Sequence, residues 1–308
     1  MIPFPNWIVK RLGSAVESSL SMTHPAKSTG KIQLDFEWNH FMISFIRLRS
    51  ISLTVPNYTF QKIRMASDLN PNEIKILITG FGVYTSPSLM TLYLNNHPQP
   101  FLDIKVNPSW SIVSSLPPSL THKSLTIHLI IPSVPLEAAY HSIFDAVPKL
   151  LEEHDPDIVL HVGLAVERDY FAVEKGAERE GYDQFPDAKR KVWTKGENKK
   201  TWGKAPARLD SSLDFDSVLS SWRREIDKAK GKGKGGQGDK VEVRLSDDVG
   251  SYVCGFVYYC SLEWMKKRGK EEKVVFCHVP PLGGEKDIEK GRQILTALVK
   301  ALAEEFGK

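Results

Sequence analysis

Ile74-Lys-Ile-Leu-Ile-Thr79-Gly80 decides the fold class. A near-continuous apolar run closed by glycine is the pattern of a strand buried on both faces. Leu125–Ile131 is a second such run. A third strand, Asp157–Val162, is entered through Pro156 and closed by Gly163. Between the last two lies Leu136–Glu153, where Ala139, Ile143, Ala146 and Leu150 recur at helical spacing. Further along, the spacing predicts a helix over Leu213–Lys228, a strand over Val241–Leu245 and a helix over about Ser251–Arg268. A strand at Lys273–Val279 follows, then a last helix, Glu285–Phe306, with Ile288, Leu295, Leu298, Val299 and Leu302 on one stripe. Strands alternating with helices imply the α/β class: a three-layer α/β/α sandwich around a mostly parallel twisted sheet.

The ends and interruptions of this pattern set the domain organisation. The chain has 308 residues, 41% hydrophobic and 25% charged, which excludes wholesale disorder. Residues 1–64 hold eight basic and three acidic side chains, a charge of +5. The other 244 residues, 33 basic and 34 acidic, come to −1, so the chain as a whole is not a basic nucleic-acid binder. Residues 1–72 are expected to form a variable, flexible N-terminal extension. Its alternatives are an organelle-targeting segment, a docked structural arm, or translation that begins at Met65. The domain then runs over residues 73–308, with inserted loops at about 86–106 and 188–240. The second insertion contains the low-complexity run from Lys228 to Gly238. Three cysteines are too few for a disulfide framework and point to a reducing, cytoplasmic setting. No apolar run reaches the roughly 18 residues of a membrane span.

The chemistry concentrates in Ser246-Asp-Asp-Val-Gly250-Ser-Tyr252-Val-Cys254-Gly255, between a strand and an apolar helix. A cysteine at a helix N-terminus meets unpaired N–H groups and the positive end of the dipole, both of which favour the thiolate. The plain alternative is a small buried hydrophobe, and Cys260, on another face of the helix, is read that way. A nucleophilic thiol needs a base. His278 lies at the C-terminal end of a strand, where open α/β sheets place their sites, with Cys277 facing the opposite way. His161, inside an apolar strand, reads as a hydrogen-bonded core histidine. Glu174 is a carboxylate able to orient His278, although beside Lys175 it also reads as a surface charge.

From about Ile74 to the C-terminus the chain resembles the pyroglutamyl peptidase I (pyrrolidone-carboxylate peptidase) family of cysteine peptidases. The opening strand and Gly-Phe turn look like Ile76–Phe81, and Asn107-Pro-Ser-Trp110 stands intact. Val162-Gly163 with Arg168, and Val173-Glu174-Lys175, are similar to two further blocks. The cysteine block looks like Ser246, Val249, Gly250, Tyr252 and Cys254, and the histidine block is His278-Val279-Pro280. The resemblance implies Cys254 as nucleophile, His278 as general base and Glu174 as orienting acid. It implies removal of N-terminal pyroglutamate from peptides through a thioester, without metal or organic cofactor. Phe81 and Tyr84 would contact the lactam ring, and Asn107 and Arg168 would hold the site's loops. Assembly into a homo-oligomer is a further implication.

The chain also departs from the family pattern. Val83-Tyr84-Thr85-Ser86 replaces Pro-Phe-Gly-Gly, and Gly176-Ala177-Glu178-Arg179 replaces a hydrophobic-Ala-x-Asn run. Gln184 stands for Arg, and Gly255 for the Asn that usually follows the cysteine. A rise in turnover on Gly255→Asn would mark that last departure as costly. Three rival readings remain: a non-catalytic relative that binds peptides or partners; nucleic-acid binding through the basic run Lys189–Lys204 with Trp193 and Trp202 as stacking platforms; and a metal site from Cys254, Cys260, Cys277 and His278, whose spacings lack the short pairs of zinc ligands.

Overall fold

The computed structural model describes residues 54–55, 58–59, 72–82, 107–230 and 241–306. The chain divides into two units, Met1–Ile63 and Arg64–Lys308. In the first, β1 (Thr54–Val55) pairs antiparallel with β2 (Tyr58–Thr59). Most of the expected extension, Tyr84, the 86–106 insertion and the Lys/Gly run from residue 231 lie outside the described residues.

The second unit is built on a seven-stranded sheet. Its strands are β3 (Glu73–Gly80), β4 (Ser119–His122), β5 (Leu125–Ile130), β6 (Ile158–Leu164), β7 (Phe171–Glu174), β10 (Val243–Ser246) and β11 (Val274–Val279). Their order is β10-β7-β11-β6-β3-β5-β4. The pairs β10/β7, β11/β6, β6/β3 and β3/β5 are parallel, whereas β7/β11 and β4/β5 are antiparallel. The sheet is thus mixed but mostly parallel, as expected. A separate small hairpin joins β8 (Gly176–Glu178) to β9 (Arg208–Asp210).

Strand periodicity sorts the core into two layers. Ile76, Ile78, Ile158, Leu160, Val162, Val275, Cys277 and Val279 face α1 (Pro108–Ser114), α4 (Phe215–Lys230) and α6 (Glu285–Phe306). Leu77, Val159, Val274 and Phe276 face α2 (Tyr140–His154) and α5 (Val253–Lys267). By the same alternation Thr79, His161, Gly163, Glu174 and His278 belong to the α2/α5 face. The three layers expected from the sequence are present.

Several elements differ from the expectation. The helix predicted from Leu136 starts at Tyr140, because Leu136 is bridged to Phe81 and its N–H donates to the Gly80 carbonyl. The stretch 188–212 is not a loop, and the helix expected over Leu213–Lys228 is present as α4. Thr194 opens α3 (Lys195–Trp202) through a capping box with Glu197, and β9 and α4 follow. Trp193 and Trp202, 4% and 2% exposed, pack edge-on and tilted against Phe256 at ring distances of 5.1 and 5.3 Å. The segment therefore roofs α5, whose residues from Phe256 to Leu262 are all buried. The same burial removes the two aromatic faces that a nucleic-acid reading needs. No helix among the described residues is long and apolar enough to cross a membrane.

Candidate active site

The register of β6, β11 and β7 brings three parts of the chain to one spot. His278 pairs with Gly163 on one side and with Ala172 on the other, and Glu174 stands opposite Phe276. His278 Nδ1 lies 2.7 Å from Glu174 Oε1. Both side chains are buried, Glu174 completely. Burial alone would raise the Glu174 carboxyl, but the hydrogen bond and charge of His278, with further donors Ser246 and Arg168, hold it below the ordinary carboxylate range. The carboxylate is thus ionised at neutral pH and holds the imidazole by its Nδ1 edge. That leaves Nε2 for a reacting group.

Cys254 enters from the first turn of α5. The helix starts at Val253 with Tyr252 as N-cap, and no side chain caps its N–H groups. The Cys254 sulfur sits over Gly163, so close that a β-carbon there would lie 3.1 Å from it. Because Gly163 is the in-register neighbour of His278, the thiol and the imidazole share one region of the sheet face. Gly163 is needed for that approach, a reason the sequence reading, which saw only a strand end, did not supply.

The helix-terminus argument predicts a thiol biased toward thiolate, but burial dominates. It pushes Cys254 up to about 12, with Glu174 and Glu167 adding to the rise and Arg168 opposing it. Burial thus favours the neutral thiol over the thiolate at this position. Cys260 and Cys277 are buried free thiols. Cys277 faces the α4/α6 layer, so the four residues of the metal reading do not converge. Among the described residues, the one group of three possible metal ligands is His122, Glu225 and Glu304. Its carboxylates are already met by Lys123, Arg224 and Lys228. His161 is the expected core histidine: its ring nitrogens meet Thr79 Oγ1 at 2.7 Å and Ser261 Oγ at 2.8 Å, and burial pushes it down to about 3.

The supporting residues are placed as follows. Asn107 caps α1: its Oδ1 accepts from the Ser109 N–H at 3.0 Å, with Pro108 in the first turn. Ser109 Oγ in turn accepts from the Phe81 N–H at 3.1 Å, so the Asn-Pro-Ser-Trp block pins the end of β3. Arg168 donates from Nη1 to Glu174 Oε1 at 2.5 Å and from Nη2 to the Asp248 carbonyl at 2.8 Å. Tyr258 was not anticipated. Its hydroxyl donates to the Glu174 carbonyl at 3.0 Å, tying the cysteine helix to the acid's strand. The signal was available, since residue 258 lies one turn after Cys254 on the same helix face.

Comparison with known proteins gives one answer. A family model described as pyroglutamyl peptidase matches residues 94–214. The pyroglutamyl-peptidase 1 of Rattus norvegicus is 27% identical over 227 residues, covering 74% of this chain and 88% of the relative. The pyrrolidone-carboxylate peptidase of Thermococcus onnurineus is 26% identical over 230 residues, 74% of this chain and 94% of that one. The crystal structure of pyrrolidone carboxyl peptidase from Pyrococcus furiosus shares the fold, with a TM-score of 0.54 at 20% identity, over 76% of this chain and all of that one. The similarity is in every case to the pyroglutamyl peptidase family. The departure from that family's pattern at Gly255 has a structural reason. A β-carbon at Gly255 would lie 2.1 Å from the Gly250 carbonyl oxygen and 3.3 Å from the Tyr182 hydroxyl. An asparagine there would have to displace the turn before Cys254, which already fills the space.

Proposed function

We propose that this chain is a cysteine omega-peptidase that removes N-terminal pyroglutamate from peptides. The observation that carries the reading is the Glu174–His278 pair on the sheet face where the Cys254 sulfur packs over Gly163, in a chain similar to this family. Cys254 attacks the carbonyl that follows the lactam ring, forming the S–C bond, as its proton passes to His278 Nε2. The uncapped N–H groups at the start of α5 hold the oxyanion. Collapse breaks the C–N bond, and His278 returns the proton to the departing amine. Water then gives a proton to His278 and attacks the thioester. The C–S bond breaks, 5-oxoproline leaves, and His278 reprotonates the sulfur. Glu174 keeps the imidazole oriented throughout and offsets its charge when protonated.

Phe81 is the apolar wall assigned to the ring, with Tyr84 beside it in the sequence. Asn107 and Arg168 act on the site's loops through the contacts above. The three unpaired cysteines support a reducing, cytoplasmic setting. Hydrolysis of a fluorogenic pyroglutamyl amide by the full chain tests the reading, with an alanyl amide and Cys254→Ser as controls. Turnover is expected only with the lactam and the thiol. Equal turnover of the alanyl amide, or activity retained in Cys254→Ser, defeats it.

A further inference from the structure

We infer that Arg168 is a charge-offsetting positioning residue: by sharing Glu174 Oε1 with His278, it lets a buried carboxylate orient the imidazole without presenting its full negative charge to the Cys254 sulfur. This rests on the reading of Cys254 as nucleophile.

The geometry is specific. One oxygen of a fully buried carboxylate takes two donors, Arg168 Nη1 at 2.5 Å and His278 Nδ1 at 2.7 Å. The other arm of the same guanidinium, Nη2, donates to the Asp248 carbonyl, in the loop that leads into Cys254. A planar fork that is always charged suits this double duty better than a lysine. Only 12% of the Arg168 side chain is exposed, so water screens the interaction weakly.

A bare carboxylate here would help one partner and harm the other. It favours the imidazolium and disfavours the thiolate, which must form during attack. The charges at the sulfur divide along that line: Glu174 and Glu167 push the thiol up, and Arg168 pulls it down. The remaining groups around the pair are Ser246 and Asp248 at the end of β10, Tyr170 at 5.8 Å from the guanidinium, Tyr258 on α5, and Cys277 on the far face of β11. Arg244, 3.9 Å above the Tyr170 ring, is exposed and salt-bridged to Glu242. Glu167 approaches Arg168 Nε at 3.8 Å.

Alkylation of Cys254 by iodoacetamide tests this without any need for peptidase turnover. Second-order rates are taken across pH 6–10 and assigned by peptide mass, since Cys260 and Cys277 are 3% and 0% exposed. Arg168→Met is expected to alkylate about tenfold more slowly at a given pH, the factor that one pK unit lost at the thiol implies. Arg168→Lys, which keeps the charge, recovers most of that rate. Arg168→Met combined with Glu174→Gln removes both charges and returns toward wild type. A merely structural role predicts no such return. Wild-type rates in Arg168→Met, or a double variant as slow as the single one, overturn the inference. Should Arg168→Met fail to fold by circular dichroism, Glu174→Gln alone decides. Arg168 is then unopposed and alkylation is expected to quicken; an equal or slower rate overturns the inference. If the wild-type chain failed to hydrolyse the pyroglutamyl amide, the functional reading would fall while this series still decided the role of Arg168.

Discussion

Gly163→Ala separates the packing of the site from its chemistry. Gly163 has an ordinary backbone conformation, so alanine brings no backbone strain and the whole effect comes from one methyl group. That methyl would lie 2.6 Å from Phe276 Cζ and 3.1 Å from Cys254 Sγ. Ordinary contact begins near about 3.5 Å, so the ring must move by roughly 0.9 Å and the sulfur by roughly 0.4 Å. Overpacking of this kind costs about 1–3 kcal/mol, and the stiffer unfolded chain returns about 0.4–1, leaving a net loss of about 1–2 kcal/mol. The corresponding fall in melting temperature is about 2–8 °C for a domain of this size. The catalytic effect is expected to be larger. Misplacing a reacting atom by 1 Å costs about 10²-fold, so the sulfur's shift predicts a loss of about tenfold in kcat/KM. A circular-dichroism melt reads the first quantity and the fluorogenic pyroglutamyl amide the second. A variant destabilised as expected but with unaltered kcat/KM would refute the reasoning, because the working sulfur would then not sit over Gly163.

Gly255→Asn is expected to lower both melting temperature and turnover, because its β-carbon meets the Gly250 carbonyl at 2.1 Å; a gain in turnover would count against the packing described for that turn. Tyr258→Phe removes a buried hydroxyl from the Glu174 carbonyl, at about 1 kcal/mol and a melting shift of about 2–4 °C, with kcat reduced through Glu174 while KM holds. An unchanged melting temperature would show that the bond contributes nothing. Glu174 also sets a pH dependence: its folded pKa is depressed, so its contribution is present above the unfolded value of about 4.3 and lost as pH falls through the lower folded value. Acid unfolding followed by fluorescence should be less steep below that value in Glu174→Gln, and identical curves would disprove the linkage.

The parallel half of the fold was legible because its strands are buried on both faces. Ile74–Thr79 and Asp157–Val162 read as strands from apolar continuity alone, and α6 runs over Glu285–Phe306 as the stripe of leucines required. The missed strands were short. In β7, Phe171-Ala-Val-Glu174 ends on the carboxylate, and a charged residue beside Lys175 looks like surface until Arg168 and His278 are seen to neutralise it. The segment 188–210 was missed because α3 is polar nearly all round, and its hold on the core rests on two tryptophans nine residues apart. Basic residues between them suggested a nucleic-acid stripe, where the rings in fact face inward against Phe256. Of the site, Cys254, His278 and Glu174 were nameable from their blocks. The dependence on Gly163 and Tyr258 arises from register and helix phase, which become visible only when α5 is set on the sheet.

The departures from the family pattern and the ordered segment at 188–210 belong together. Gly176 lacks a side chain because its β-carbon would lie 2.0 Å from Asp210 Oδ1 and 2.5 Å from the Leu209 carbonyl, within the hairpin that returns from that segment. Arg179, where the family carries asparagine, donates from Nη1 to the Ala205 carbonyl at 2.6 Å, just past the end of α3. Tyr182 packs on Phe256 at 5.2 Å, its hydroxyl bonded to the Glu178 carbonyl and set against the face of Gly255. Gly176, Arg179 and Gly255 thus each touch either that segment or the turn before Cys254, and the Glu174–His278 hydrogen bond lies outside these contacts. Restoring one family residue at a time would leave its new neighbour in place, so such single reversions should cost stability instead of gaining rate. The specificity of this chain is better sought in how the roofed α5 presents Cys254 than in any one substituted side chain.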